Sequence, residues 1–400
     1  MTVSGVNFLT GILLARFLGI EDFGRFSLAW LAIVFANNLQ HAMINSPMMS
    51  IGPKQTGAAF PAYLGSVMIQ QAAFAVLVFV LLFGGVHISG FVFPEWKIEE
   101  LALPLAVAGL ATQAQDFLRR YFFSRLRSTT AFVCDAIRYF GQFGVLLALF
   151  SYAPERTSVA VTLWVIALTA AIAAGLSCIR VERPCWRAGV WKATLRRHWN
   201  FSKWLAGSAL LHWTSGNLFL IAAGAILGPS AVGALKAAQT LIGMTHVLSR
   251  GLDNVIPVRA AIIFRDGGSP ALISYLKRVA IFYVSLTALV ALILSLAPEF
   301  WLRLAFGQAY ANHGELVRWY AVVYLVAAAI FPISVGLRAL EHLKPVFWSY
   351  ISATAFSVVA AYPMTKWWEM EGVLLGILAT EAIMVFVTGI ALRRHLATNC

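Results

Sequence analysis

Positive charge sorts by connection along this chain, and that pattern restricts what it can fold into. The 400 residues read as about twelve apolar segments, each near the roughly 20 residues that cross a bilayer as a helix. They are 3–18, 26–49, 62–84, 101–118, 130–150, 158–178, 203–227, 232–256, 279–298, 316–337, 346–365 and 372–392. Twenty of the 30 Lys and Arg lie in every second connection. These are Lys54; Arg119, Arg120, Arg125 and Arg127; seven from Arg180 to Lys203; Arg259, Arg265, Lys277 and Arg278; Arg338 and Lys344; and Arg393 and Arg394. The alternate connections hold six, and Arg16, Arg138, Lys236 and Arg250 fall inside or at the ends of apolar segments. Loops kept on the cytoplasmic side carry Lys and Arg. The alternation therefore predicts an all-α polytopic membrane protein of about 12 transmembrane helices, with both termini cytoplasmic.

Composition agrees. Hydrophobic residues make up 60% and charged residues 12%, and mean hydropathy is +0.78, whereas a soluble chain carries about 25% charged residues. The net charge of +13 would suit nucleic acid. The basic residues flank membrane spans, however, where anionic lipid headgroups meet them. Anionic membrane lipids are the expected partner and nucleic acid is not. Cys134, Cys178, Cys185 and Cys400 show no CxxC or zinc spacing, so neither a metal site nor a structural disulfide is expected. The first span lacks a basic n-region and is not read as a cleavable signal peptide. Only two residues precede it, so the natural start is expected upstream.

The longest extramembrane stretch, 179–202, mixes Arg and Lys with Trp186, Trp191 and Trp199. Tryptophan beside basic residues suits the headgroup layer, so this stretch is expected along the inner surface, separating an N-terminal six-helix lobe (1–178) from a C-terminal one (203–400). The halves look related. Sliding Phe8–Ser46 onto Asn217–Val255 gives nine identities in 39 positions, including Leu18-Gly19 with Leu227-Gly228, Gly24 with Gly233 and Asn45 with Asn254. Pro47 faces Pro257 one residue out of register, and Arg125-Leu126-Arg127 echoes His342-Leu343-Lys344. Six spans per half is even, so the two lobes would enter the membrane in the same direction, a pseudo-symmetry used by transporters.

The stretch Ala15-Arg16-Phe17-Leu18-Gly19-Ile20-Glu21-Asp22-Phe23-Gly24-Arg25-Phe26 resembles the N-terminal signature of Wzx-type polysaccharide biosynthesis flippases, of the multidrug/oligosaccharidyl-lipid/polysaccharide exporter (MOP) superfamily. Leu227-Gly228-Pro229-Ser230-Ala231-Val232-Gly233 is similar to the second-lobe counterpart. So is the basic Arg119–Arg127 turn with Phe122 and Phe123. Leu235 stands where that family often has Tyr. The resemblance implies a two-lobed, twelve-helix fold in a bacterial cytoplasmic (inner) membrane and movement of lipid-linked oligosaccharide for exopolysaccharide or O-antigen synthesis. Polysaccharide polymerase and export proteins are further partners it suggests.

No nucleotide-binding or metalloprotease motif is present, so the chain is not expected to be an enzyme and no cofactor is expected. The transport argument rests on polar residues within spans, where an isolated charge costs about 2.5–3.5 kcal/mol. Asn37, Gln40 and His41 recur at i, i+3 and i+4, and His246, Arg250 and Asp253 at i, i+4 and i+7. Each set can share a helix face. The functional reading is a polar, cationic cleft in which Arg250 and His41 contact a diphosphate headgroup and Asn37 and His246 add polar groups. The alternative is interhelical hydrogen bonding without a transport role. Arg16 either snorkels to the headgroups or meets the diphosphate at the outer mouth. Glu381 lies mid-span with no basic residue near it on its own helix; it is a candidate proton- or Na⁺-coupling carboxylate, or a protonated packing residue. Asp135 and Arg138 read as a self-neutralising pair, Asp116 as structural beside Arg119 and Arg120, and His212 as a packing histidine.

A lipid-diphosphate sugar cannot cross hydrocarbon unaided, because each polar group costs roughly 1–3 kcal/mol or more. Two lobes that shelter the headgroup and alternate their access would carry it. The inside-negative potential assists an anion by about 2.3 kcal/mol per charge for each 100 mV or so. Two other readings remain: a drug/cation antiporter of the same superfamily, and a membrane-embedded polymerase or glycosyltransferase.

Overall fold

The computed structural model describes residues 2–57, 59–92, 98–245, 252, 255–342 and 344–398. Among these residues it is all-helical, and eight helices are long and apolar enough to cross a membrane. In chain order the α-helices are α1 (Thr2–Gln40), α2 (Ser46–Ile51), α3 (Ala59–Val92), α4 (Ala102–Ser124), α5 (Ser128–Tyr152), α6 (Val159–Cys178) and α7 (Ala188–Leu227). They continue with α8 (Pro229–Ile242), α9 (Ile256–Leu296), α10 (Pro298–Phe306), α11 (Gly314–Ala328), α12 (Ile330–Ala339) and α13 (Lys344–Thr398). A π-helical turn, His41–Asn45, joins α1 to α2.

Spans separated in the sequence reading are joined here by broken helices. The first two fall in α1, which breaks at Gly19 (φ 76°, ψ 173°). The expected counterpart, Gly228, caps α8 in almost the same conformation (φ 87°, ψ 174°). Only glycine adopts such a backbone without strain, so the matched Leu-Gly pairs are matched helix breaks. The last two spans are the arms of α13, which folds back at Glu369 (φ 47°). Ser357 and Thr380 hydroxyls then lie 3.2 Å apart across the hairpin, and His342 stacks on His395 at its open end.

The chain divides into two compact units, Arg25–Leu210 and Met1–Gly24 with Leu211–Cys400. The boundaries fall inside α1 and α7, whereas the sequence reading drew them at 178 and 203. In the Arg25–Leu210 unit α4 is the buried centre: 72% of its most apolar window is buried, against 22% for α3. Small residues allow this. Ala106, Ala108 and Ala111 of α4 and Ala167, Ala170 and Ala173 of α6 are buried, and such surfaces let membrane helices approach closely. Phe60, Tyr63, Leu64, Phe117, Tyr121 and Phe122 fill one end of this unit.

Stretch 179–187 docks on the same unit. Arg125 pairs with Glu182 at 2.9 Å, Tyr121 Oη accepts from the Glu182 amide, and the Cys185 amide donates to the Pro61 carbonyl at 2.9 Å. From Ala188 onward the expected linker is already helix α7.

In the other unit the two repeat-related turns meet each other. A Cβ on Gly24 would strike the Pro229 carbonyl, and a Cβ on Gly233 would strike the Ile20 carbonyl. Pro229 is the repeat equivalent of Ile20, so the contact is reciprocal. The second echo also appears in the backbone, with a different register. Arg127 N donates to Phe122 O and His342 N to Leu337 O, and Leu126 and Glu341 both have positive φ. These are two equivalent helix C-caps, which match Leu126 with Glu341 rather than with Leu343.

Candidate functional site

Pro47 shapes the continuation of α1. A proline in a helix removes the N–H that would bond residue i−4 and crowds that carbonyl, here Met43. The chain responds with a π turn, in which Ser46 N donates to His41 O. Met43 O is taken by the Ser202 hydroxyl at 3.2 Å. π turns in membrane-depth helices often mark functional sites. This one begins at His41, where the stripe Asn37, Gln40 and His41 ends. Gln40 is fully buried; its amide donates to Gln71 Oε1 at 2.9 Å and to the Gln113 carbonyl at 2.8 Å. Asn45, also buried, donates to Asp116 Oδ2 at 2.9 Å. His41 stays half-buried, within electrostatic reach of Arg120, Asp116 and Arg119.

Those three charges belong to a network between α4 and α5. Arg119 pairs with Asp116 of its own helix and with Asp135 of α5 at 3.5 Å. Arg120 lies 3.8 Å from Asp116. Gln115 links the helices, donating to Asp135 at 3.0 Å and accepting from Arg138. Arg138 also covers the Tyr139 ring at 4.7 Å. The expected Asp135–Arg138 self-pair is thus replaced by interhelical bonding through Arg119 and Gln115. Three guanidiniums face two carboxylates, leaving one positive charge in excess, with His41 beside it. Among the described residues, buried polar atoms at His41 Nδ1, Asn37 Oδ1, Arg120 Nε and both polar atoms of the Gln113 amide have no hydrogen-bond partner. Each such atom costs roughly 1–3 kcal/mol, a penalty that a bound polar group would relieve.

The other expected residues fall elsewhere. His246 and Arg250, with Asp253 and Asn254, lie outside the described residues. Arg16 is exposed in the unit that contains Leu211–Cys400, its guanidinium 3.4 Å from the Leu304 carbonyl near the C-terminus of α10. A cation there answers the negative end of a helix. Glu381 lines a cavity of about 500 Å³ in that unit, with Arg338, Gln239, Tyr320 and Tyr324. His212, read as a packing residue, lines it too and lies against Tyr350 at 4.8 Å. The buried Tyr320 hydroxyl has no partner among the described residues. Lys236 donates to Gln239 at 2.9 Å, so a second cation stands behind the cavity wall.

The sequence reading missed the α4–α5 network. Its signal was present: Asp116, Arg119 and Arg120 lie at the end of one apolar segment, and Asp135 and Arg138 near the start of the next. Hydropathy gives depth but not which faces meet.

A sequence model of the polysaccharide biosynthesis protein family matches residues 1–258. No curated protein matches the chain by sequence. Among solved structures, an inward-facing multidrug resistance MATE family transporter of the MOP superfamily is similar at a TM-score of 0.80 and 11% identity, over 99% of this chain and 95% of that one. The lipid II flippase MurJ in an inward closed conformation is similar at 0.71 and 12%, over 98% and 86%. A MOP superfamily transporter from Pyrococcus furiosus is similar at 0.63 and 13%, over 99% and 93%. At such identities the likeness speaks to fold: the chain is a multi-pass membrane protein with the MOP architecture.

Proposed function

We propose, on the premise that this chain belongs to the polysaccharide biosynthesis protein family, that it is a flippase carrying a lipid-diphosphate-linked oligosaccharide from the inner to the outer leaflet. The observation that carries the reading is the net-positive Arg119–Arg120–Arg138 network beside His41 and the π turn. Guanidiniums bind phosphate oxygens in a bidentate fork, and two carboxylates hold these side chains in place without cancelling their charge. Glu381, in its tyrosine-lined cavity with Arg338, serves as the proton- or Na⁺-coupling carboxylate. Arg250 and His246 are further contacts to the anionic headgroup.

A deletion strain tests this directly. Lipid-linked oligosaccharide should accumulate in the inner leaflet, shielded from reagents added outside, and a plasmid copy should relieve the accumulation. A deletion strain that exports polymer at the normal rate, with no related gene active, would overturn the reading.

A further inference from the structure

A second basic site lies away from that network. A cavity of about 480 Å³ opens between the start of α3 and the start of α7, lined by Arg187, Arg197, Tyr63, Thr194 and Gln55, with no acidic residue among the described residues of its wall. Its walls are built. The Cys185 backbone lies so close to Gly65 that a side chain there would collide with it. Arg187 follows two residues later, its carbonyl accepting from Val190 N and Trp191 N at the first turn of α7. Thr194, His198 and Ser202 recur at i, i+4 and i+8 and are all nearly inaccessible, so this face anchors α7. His198 Nε2 bonds Tyr63 Oη at 2.9 Å, which fixes the ring at the cavity floor.

The flanks of that face stay uncovered. Leu195, Trp199 and Phe201 of α7 are exposed, as is Trp186 just before it, and Trp186 lies against Trp191 at 5.9 Å. Exposed indoles alternating with Arg and Lys belong at headgroup depth. We infer that this cavity holds the phosphate of an anionic phospholipid from the inner leaflet. Arg187 and Arg197 supply the paired forks, the amides at the N-terminus of a 40-residue helix add their positive field, and the aromatic fringe accepts the acyl chains. That fringe commits the site to a lipid rather than to free phosphate. The inference needs only that the chain sits in a membrane, not that it carries a sugar lipid.

Delipidated full-length protein in detergent, titrated with phosphatidylglycerol or phosphatidylcholine and read by native mass spectrometry, tests it. Wild type should retain phosphatidylglycerol in preference to phosphatidylcholine, and R187Q/R197Q should lower that retention about 30-fold, since each cation near a membrane surface is worth about 1 kcal/mol. K192Q/R196Q removes the same charge from α7 outside the cavity and should retain the lipid. If R187Q/R197Q does not fold, R197Q alone changes one exposed side chain and should still show a loss of several-fold. Equal losses in the two double variants, unchanged retention in R187Q/R197Q or R197Q, or displacement of the lipid by millimolar inorganic phosphate would overturn the assignment.

Discussion

Replacing Gly24 by Ala tests the reciprocal joint between the repeat-related turns. The new Cβ would meet the Pro229 carbonyl. That atom is backbone and cannot rotate aside. An ordinary carbon–oxygen contact is about 3.3–3.6 Å, so α8 must retreat on the order of 1.5 Å. Overpacking costs about 1–3 kcal/mol, and against a backbone atom the upper part of that range applies, about 2–3 kcal/mol; the gain in helix propensity over Gly offsets roughly 1 kcal/mol. Gly233→Ala meets the Ile20 carbonyl in the equivalent way and should cost the same. At about 2 °C per kcal/mol for a large domain, each variant should lower Tm by about 2–4 °C in thermal unfolding of the detergent-purified protein. One displacement makes room for both methyls, so the double variant should lose clearly less than the sum of the two. Gly144, with open space around its Cβ position, is the control, and its Ala variant should hold or gain stability. If G24A and G233A match wild type, or if their losses simply add, the reciprocal contact is wrong.

Three further outcomes are expected. Asp135→Asn leaves Arg119 with a single carboxylate in a half-buried site and should destabilise by about 2–3 kcal/mol, less than the full penalty for a buried pair because the partners keep some exposure; a double-mutant cycle with R119Q measures the coupling, and a value near zero would refute the ion pair. Pro47→Ala restores the N–H that an α-helical turn needs, so hydrogen exchange of the purified protein should show stronger protection at Met43–Ser46 while export falls, and unchanged protection would disconnect Pro47 from the π turn. Glu381→Gln should leave membrane abundance intact and abolish the response of transport to an imposed proton or Na⁺ gradient; a gradient response equal to wild type would remove Glu381 from coupling.

Local features of the chain carried much of this architecture. Runs of apolar residues placed the long helices, because a helix that crosses a bilayer needs about 20 of them. Leu18-Gly19 and Leu227-Gly228 marked two breaks of one conformation, because positive φ selects glycine at a single position. The second echo misled by two residues: it was matched on basic side chains, whereas the equivalent C-caps are set by backbone hydrogen bonds around Leu126 and Glu341, neither of them glycine. The grouping of the first span with Leu211–Cys400 is a tertiary outcome that hydropathy does not encode. For the same reason Asp135 was given the near partner in sequence, Arg138, when Arg119 and Gln115 reach it across helices. His212 looked isolated because the residues sharing its cavity, Tyr350 and Glu381, lie more than a hundred positions away. The π turn was within reach, since Pro47 follows the polar stripe by a few residues and its missing N–H had to be accommodated.

Reconstituted transfer tests the central claim most directly. Protein in liposomes, supplied with a fluorescent polyprenyl-diphosphate oligosaccharide in one leaflet, should expose the sugar to a membrane-impermeant reagent on the other side. R120Q, which removes the excess positive charge beside His41, should slow that exposure at least tenfold at equal protein incorporation, in line with the loss of about 1.5–3 kcal/mol for a hydrogen bond to a charged group. Transfer by R120Q at the wild-type rate would contradict the assignment of this network as the diphosphate site, and no transfer by the wild-type protein would contradict the flippase itself.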